Sequence, residues 1–228
     1  MIIRAAPAVA LTLGLLAAPR GASAQRIDTW AAHTGLLDLS RDWQRYPGSS
    51  PGPLKTPPIV IMEQGRPVLR LETDHESVAI WRPVQIEPAA AWRLAWEWRV
   101  LKLPEGGDVR VPTRNDQAAR VMVLFEGMKA IIYVWDTTAP VGTVVRPETF
   151  EPLDRVLMVI RSGRSLAGHW LHERREVYQD YRRQFGETPR RVKAVGLESH
   201  SDDVAGQVSR WSSFPKARST YRRAAWCA

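Results

Sequence analysis

The chain is short of the residues that build cross-linked or nucleophilic sites. Its 228 residues hold a single cysteine, Cys227, beside the C-terminus. That excludes a disulfide framework within the chain and leaves no thiol nucleophile in its body. No Gly-x-Ser-x-Gly elbow occurs, so acyl transfer through a serine has no support in the sequence. His-Glu-x-x-His is also missing. His169, His172 and Glu173 come nearest to a zinc pattern but lack its helical spacing. Gly106-Gly107 reads as a turn, not as a phosphate-cradling loop. There is no internal repeat, and no apolar run reaches the about 20 residues that a membrane-spanning helix needs.

What is present begins with a leader. Arg4 precedes the apolar run Ala5 to Ala18, and Ala22-Ser23-Ala24 supplies a small-x-small cleavage pattern before Gln25. Residues 1–24 therefore read as a cleaved secretory peptide, which predicts a periplasmic or secreted product without a transmembrane span. The formal net charge is +8, and a basic surface attracts nucleic acid, anionic lipid or acidic polysaccharide. The arginines are scattered along every segment instead of forming one block, and export argues against nucleic acid.

The remainder is long enough for one sizeable domain with its own core. Residues 25–58 form an N-terminal extension that ends in a Pro/Gly/Ser-rich loop from Pro47 to Pro58. Short runs rich in Val, Ile and aromatics then follow, bounded by turn residues: Ile59–Met62, Pro67–Thr73, Val78–Ile86, Trp92–Leu101, Ala118–Glu126, Ala130–Asp136 and Arg155–Ser162. From Glu173 to Phe185, Val177, Tyr181 and Phe185 recur at every fourth position among charged neighbours. This predicts one amphipathic helix, stopped by Gly186 and Pro189. Val192–Leu197 and Val208–Phe214 close the domain, and residues 215–228 form a basic tail. Many short strands without crossover helices between them predict a mainly β fold over residues 59–214: an antiparallel β-sandwich, jelly-roll-like, with one helix in its C-terminal half.

Strand faces nominate a site. Ala119, Val121, Val123 and Phe125 form one apolar face, leaving Arg120 on the other. Ile132 and Val134 share a face, and Tyr133 and Trp135 share the opposite one. If the aliphatic faces line the core, Arg120, Tyr133 and Trp135 meet outside it, a combination that suits stacking and hydrogen bonding to sugar rings. Aromatics filling a sandwich core, with Arg120 paired to Asp116, is the competing reading.

Several stretches taken together are distinctive. They are Trp96-Glu97-Trp98-Arg99-Val100 with Leu103-Pro104, Asn115-Asp116-Gln117-Ala118-Ala119-Arg120-Val121, and Tyr133-Val134-Trp135 leading to Pro140-Val141-Gly142-Thr143. Val159-Ile160-Arg161-Ser162-Gly163 and Asp180-Tyr181-Arg182-Arg183-Gln184-Phe185-Gly186-Glu187 complete the set. In this order they resemble the bacterial family of unknown function DUF3047, over roughly Val68 to Phe214. The resemblance implies an exported bacterial domain and no assigned activity. Two positions depart from the family pattern. Asn115 stands where an acidic residue is usual, and His200 replaces the first aspartate of a loop that here reads Ser199-His200-Ser201-Asp202-Asp203-Val204.

Three functions fit these residues. The first is a non-catalytic binding domain for a glycan or another extracellular ligand, using Trp98, Arg99, Asp116, Arg120, Tyr133, Trp135, Arg161, Asp180 and Arg182. The second is a glycan-processing hydrolase that pairs Asp116 with Glu173 or Asp180 across a cleft. The third is a scaffold for an envelope protein partner. No cofactor is required by any of them, although Asp202 and Asp203, with the hydroxyls of Ser199 and Ser201, are hard oxygen ligands of the kind calcium takes. Paired arginines also offer a purely structural role for Asp116 and Asp180, because a carboxylate flanked by guanidinium groups stays ionised.

Overall fold

Burying alternate β-branched and aromatic residues requires two sheets laid face to face, and the chain builds both. The computed structural model describes residues 27, 34–46, 52–90, 92–148 and 153–204, with 209–214 as backbone alone. The leader over residues 1–24 and the tail over 215–228 lie outside the described residues. The strands are β1 (Gly35–Leu36), β2 (Gln44–Arg45), β3 (Ile59–Glu63), β4 (Arg66–Thr73), β5 (Ser77–Ile86), β6 (Leu94–Lys102) and β7 (Ala119–Phe125). They continue with β8 (Lys129–Asp136), β9 (Val144–Val145), β10 (Asp154–Ser162), β11 (Leu171–Arg175), β12 (Val192–His200) and β13 (Ser209–Phe214), and the helix is α1 (Val177–Phe185).

One sheet has the order β1-β3-β4-β13-β6-β11 and the other β2-β5-β12-β7-β8-β10-β9. The pairings are antiparallel except β8–β10, which is parallel and is served by the long 137–153 connection. The fold is thus a jelly-roll-like β-sandwich with a single helix. The short strands β1, β2 and β9 fall below what local pattern reveals.

The main core lies between the sheets. Ala119, Val121, Val123 and Phe125 of β7 enter it as their alternation requires, beside Trp96, Trp98 and Val100 of β6. A second apolar cluster covers part of the outward face of the β5–β12–β7–β8 sheet. It joins Met122, Ile132, Val134, Leu157 and Val159 to Val109 and Ala139 from the flanking loops. Strand β8 is therefore buried on both faces, and its polarity is the reverse of the expectation. Tyr133 and Trp135 point into the main core, and Ile132 and Val134 into the outer cluster. Cross-strand pairing makes this consistent, since Tyr133 lies opposite Val121 and Trp135 opposite Ala119.

The helix also starts later than its periodicity suggests. Leu171–Arg175 extends the first sheet as β11, with Glu173 opposite Trp96, so α1 begins at Val177. The open hydrogen-bonding edge of β6 outcompetes one more helical turn. Val177 and Tyr181 are buried, and Phe185 packs against them at the rim of the core. Gly186 adopts the left-handed conformation and returns its N–H to the Arg182 carbonyl at 2.9 Å, which ends the helix.

Candidate active site

One polar cluster sits on the outward face of the second sheet. Val195 and Leu197 face the main core, so Glu198 and His200 emerge on the opposite side of β12. Antiparallel register places Glu198 opposite Arg120 of β7 and His200 opposite Ser77 of β5. His200 Nε2 lies 3.3 Å from Glu198 Oε2, and its Nδ1 lies 2.8 Å from Ser77 Oγ. Arg120 Nη1 reaches Glu198 Oε2 at 3.5 Å and His200 Nε2 at 3.4 Å. From the same guanidinium, Nε donates to Gln117 Oε1 at 2.8 Å and Nη2 to the Asn115 carbonyl at 2.6 Å. Gln117 hands the network on to Asp136 at 3.2 Å, a carboxylate that also accepts the N–H groups of Val109, Thr138 and Ala139.

Burial sets the electrostatics. Arg120 is 3% exposed and Glu198 6%. Burial alone drives a carboxyl toward its neutral form. At Glu198 the hydrogen bond and charge of His200, with the charges of Arg120 and Arg155, outweigh it and hold the group below its ordinary value of 4.5. Asp203, in the loop after β12, shifts the other way. Partial burial and the neighbouring Asp116 and Asp202 raise its carboxyl above 3.8, against the opposing pull of His200 and Arg120. One carboxylate is thus held ionised and a second biased toward protonation around the same two side chains, His200 and Arg120.

Asp116 organises that loop. It is fully buried and accepts backbone N–H groups from Asp202 at 3.1 Å, Asp203 at 3.0 Å and Val204 at 2.7 Å. The clasp is close-fitting: a Cβ added at Gly107 would stand 2.2 Å from the Asp116 carbonyl oxygen. Asp202 and Asp203 are exposed, and no group of three or more metal-ligating side chains occurs among the described residues. His169 bonds to the Ala167 carbonyl and His172 faces Glu97.

The other nominated residues are held elsewhere. Glu173 accepts from Trp98 Nε1 at 3.0 Å and from Arg161 Nε at 2.7 Å. Asp180 accepts the Tyr133 hydroxyl at 2.9 Å and pairs with Arg175 and Arg183; Arg182 is exposed on the helix. Arg99 makes a two-pronged pair with Glu63 and lies over the Trp170 ring at 4.8 Å. Asp116, Glu173 and Asp180 are thus each occupied by separate partners, and Arg120 pairs with Glu198 instead of Asp116.

A family model described as Protein of unknown function (DUF3047) matches residues 55–213. The chain belongs to that family. No curated protein sequence matches it. Among solved structures, this DUF3047 chain is similar to the xyloglucanase domain of NopAA, a type three effector from Sinorhizobium fredii, in complex with cellobiose. Identity is 9%, over 79% of this chain and 94% of that one, at a TM-score of 0.46. It is also similar to the native family 12 xyloglucanase from Bacillus licheniformis (7% identity, 85% and 96% coverage, TM-score 0.45). A third is the endoglucanase cel12A from Rhodothermus marinus (6% identity, 78% and 94% coverage, TM-score 0.44).

The expected non-catalytic glycan-binding domain is overturned. Its stacking face does not exist. Trp98, Tyr133 and Trp135 are 0% exposed, with Trp98 and Trp135 in contact at 5.7 Å between centroids inside the core. Arg120 lies on the opposite face of the sheet from Tyr133 and Trp135, so the three never meet.

Glu198 and Ser77 were not foreseen, and His200 stood out solely as a departure from the family loop. The signal was partly legible. Carrying the alternation of Val195 and Leu197 past Leu197 puts Glu198 and His200 on one outward face. That β12 would lie between β5 and β7 was not legible.

Proposed function

We propose that this DUF3047 member is an exported glycan-processing hydrolase whose chemistry resides in the Glu198–His200–Arg120 cluster with Asp203. The observation that carries the reading is geometric: His200 and Arg120 both reach Glu198 Oε2, at 3.3 and 3.5 Å, and Asp116 holds the following loop, Asp203 included, through its backbone. In this arrangement Glu198 is held ionised and Asp203 is shifted toward its protonated form. Such a split separates the two roles that glycosidic cleavage requires. Asp203 donates a proton to the leaving glycosidic oxygen as its bond to the anomeric carbon breaks. Glu198 supplies the electron pair, either directly to that carbon or by taking a proton from the attacking water. His200 and Arg120 are positioning residues that keep Glu198 charged, and Asp116 fixes the Asp203 loop through its three backbone bonds.

Two features accord with this reading. Arg120, Glu198 and His200 project from adjacent strands of a sheet, which holds catalytic groups more rigidly than loops do. The leader pattern over residues 1–24 would deliver the enzyme to where polysaccharides lie. The test is release of reducing ends from a panel of soluble β- and α-glucans, xylan and xyloglucan by the mature chain. Glu198→Gln and Asp203→Asn should each lower turnover at least a hundredfold. Asp203 has an exposed side chain, so Asp203→Asn should melt with the wild type. Undiminished turnover in both variants would refute the assignment.

A further inference from the structure

Ser77 belongs to the polar cluster, yet the proposed chemistry gives it no role. It opens β5 directly opposite His200 of β12, and the backbone around the pair is tied down on both strands. The carbonyl of the preceding Glu76 accepts the Ser201 N–H at 3.0 Å, and the Glu76 carboxylate accepts the Lys55 and Thr56 N–H groups at 3.0 and 3.1 Å. On β12, the His200 N–H donates to the Gln117 carbonyl at 3.0 Å. The His200 ring then meets Ser77 Oγ at Nδ1, at 2.8 Å, the shortest of its three polar contacts.

At the other nitrogen, Nε2 stands between groups with opposite demands. Glu198 Oε2, at 3.3 Å, accepts a proton, and Arg120 Nη1, at 3.4 Å, offers one. The charged groups about the ring are these two, with Asp203 in the loop that follows. A ring free to turn about its Cβ–Cγ bond would put a carbon where Nε2 stands and leave Glu198 with the longer Arg120 contact, at 3.5 Å. A hydroxyl at Nδ1 prevents this in either charge state of the ring. It rotates to donate to a bare Nδ1 and to accept from a protonated one. Nε2–H therefore stays on Glu198 whether the imidazole carries one proton or two. Neither a carbonyl nor an amide N–H in that place would serve both states. Ser77, His200 and Glu198 also form a line of the kind found in serine hydrolases. Ser77 is 6% exposed and the His200 side chain 21%, so it is the ring and not the hydroxyl that reaches the surface a substrate meets.

We infer that Ser77 is a positioning residue of this site: its hydroxyl clamps the His200 ring so that Nε2–H stays on Glu198 as His200 gains or loses its second proton. The inference rests on the hydrolase reading for its effect on turnover, and on the Ser77–His200–Glu198 geometry for the clamp itself. A reacting carboxylate must be held within about 10–20° of its productive direction by neighbours that are themselves locked, and His200 supplies that hold only while its own ring is fixed.

Nitrogen NMR of protein labelled in its histidines reads the clamp, with His200→Gln identifying the signal. In the wild type the proton of the neutral His200 ring should sit on Nε2. In Ser77→Ala that N–H should exchange with water at least tenfold faster, and in Ser77→Thr, which keeps the hydroxyl, within twofold of wild type. Against soluble β-glucan, Ser77→Ala should lower kcat at least fivefold and leave KM unchanged, because the clamp touches no substrate, and Ser77→Thr should restore the rate. An Nε2–H signal unaltered by Ser77→Ala would overturn the proposal, as would a wild-type ring protonated on Nδ1 alone. A covalent fluorophosphonate adduct on Ser77 would also overturn it, by making the hydroxyl a nucleophile. The two readings fail separately. A ring released in Ser77→Ala, in a protein that cleaves no glycan, removes the hydrolase reading and keeps the clamp. Turnover by the wild type, with Ser77→Ala matching it in kcat, removes the clamp's role and keeps the hydrolase.

Discussion

Replacing Asp116 by Asn exchanges one carboxylate oxygen for an NH₂ group and asks whether this carboxylate is chemical or structural. In the folded chain its two oxygens accept the N–H groups of Asp202, Asp203 and Val204 at 2.7–3.2 Å, and the residue is 0% exposed. Hydrogen bonds to a charged acceptor are worth about 1.5–3 kcal/mol each. Asparagine keeps one acceptor oxygen but turns an NH₂ donor toward N–H groups that are donors themselves. The loop can recover part of the loss from water, because Asp202 and Asp203 are exposed. A net cost of about 2–4 kcal/mol follows, and at this chain length each kcal/mol lowers the midpoint by about 2–4 °C. Thermal unfolding followed by circular dichroism should therefore show Asp116→Asn melting about 5–15 °C below wild type, with Asp116→Ala at least as low. Turnover, measured well below the melting range, should fall only as far as the Asp203 loop is displaced. A variant with wild-type melting and no activity would refute the structural reading and return Asp116 to the chemistry.

Other perturbations separate the remaining parts of the account. Arg120→Ala leaves Glu198 buried without its guanidinium partner, so it should cost about 3–5 kcal/mol in denaturant titration, whereas removal of an exposed arginine such as Arg182 should cost almost nothing. Trp98→Phe deletes the indole N–H bonded to Glu173 while Arg161 still holds that carboxylate; a loss of about 1–3 kcal/mol is expected on the same assay. Because the folded-state pKa of Glu198 lies below its ordinary value of 4.5, its ion pair contributes stability that is complete above that value and is lost as pH falls through the lowered one. The stability gap between wild type and Glu198→Gln should accordingly close on acidification, and a gap independent of pH would contradict the pairing. Turnover needs Glu198 ionised and Asp203 protonated, so the rate should fall toward low pH on the Glu198 limb. It should fall as pH rises through the elevated pKa of Asp203 on the other.

Much of the fold was legible because its determinants are local. Alternation in Ala119–Phe125 and the fourfold recurrence of Val177, Tyr181 and Phe185 each specify an element without reference to the rest of the chain. The site was legible only in fragments. Arg120 and Asp116 stood out as polar residues beside an apolar strand, but their partners, Glu198 and the 202–204 backbone, are brought to them by the β12–β7 pairing, a long-range choice that no local pattern encodes. The error over Tyr133 and Trp135 has a physical source. A strand buried on both faces loses the polar–apolar contrast that tells inside from outside, and β8 places aliphatic residues on one face and aromatics on the other. Glu173 was misplaced onto the helix because α1 is preceded by an edge strand whose pairing with β6 overrides the charged, helix-favouring composition of Leu171–Arg175.

The central claim is that this DUF3047 chain cleaves glycosidic bonds through Glu198 and Asp203. The most direct measurement is reducing-end release from soluble β-glucan by the purified mature chain, alongside Glu198→Gln and Asp203→Asn at matched folded concentration. The account predicts turnover by the wild type and at least a hundredfold loss in each variant, with Asp203→Asn as stable as the parent. Wild-type rates in both variants, or no release from any glycan of the panel by the folded wild type, would contradict it.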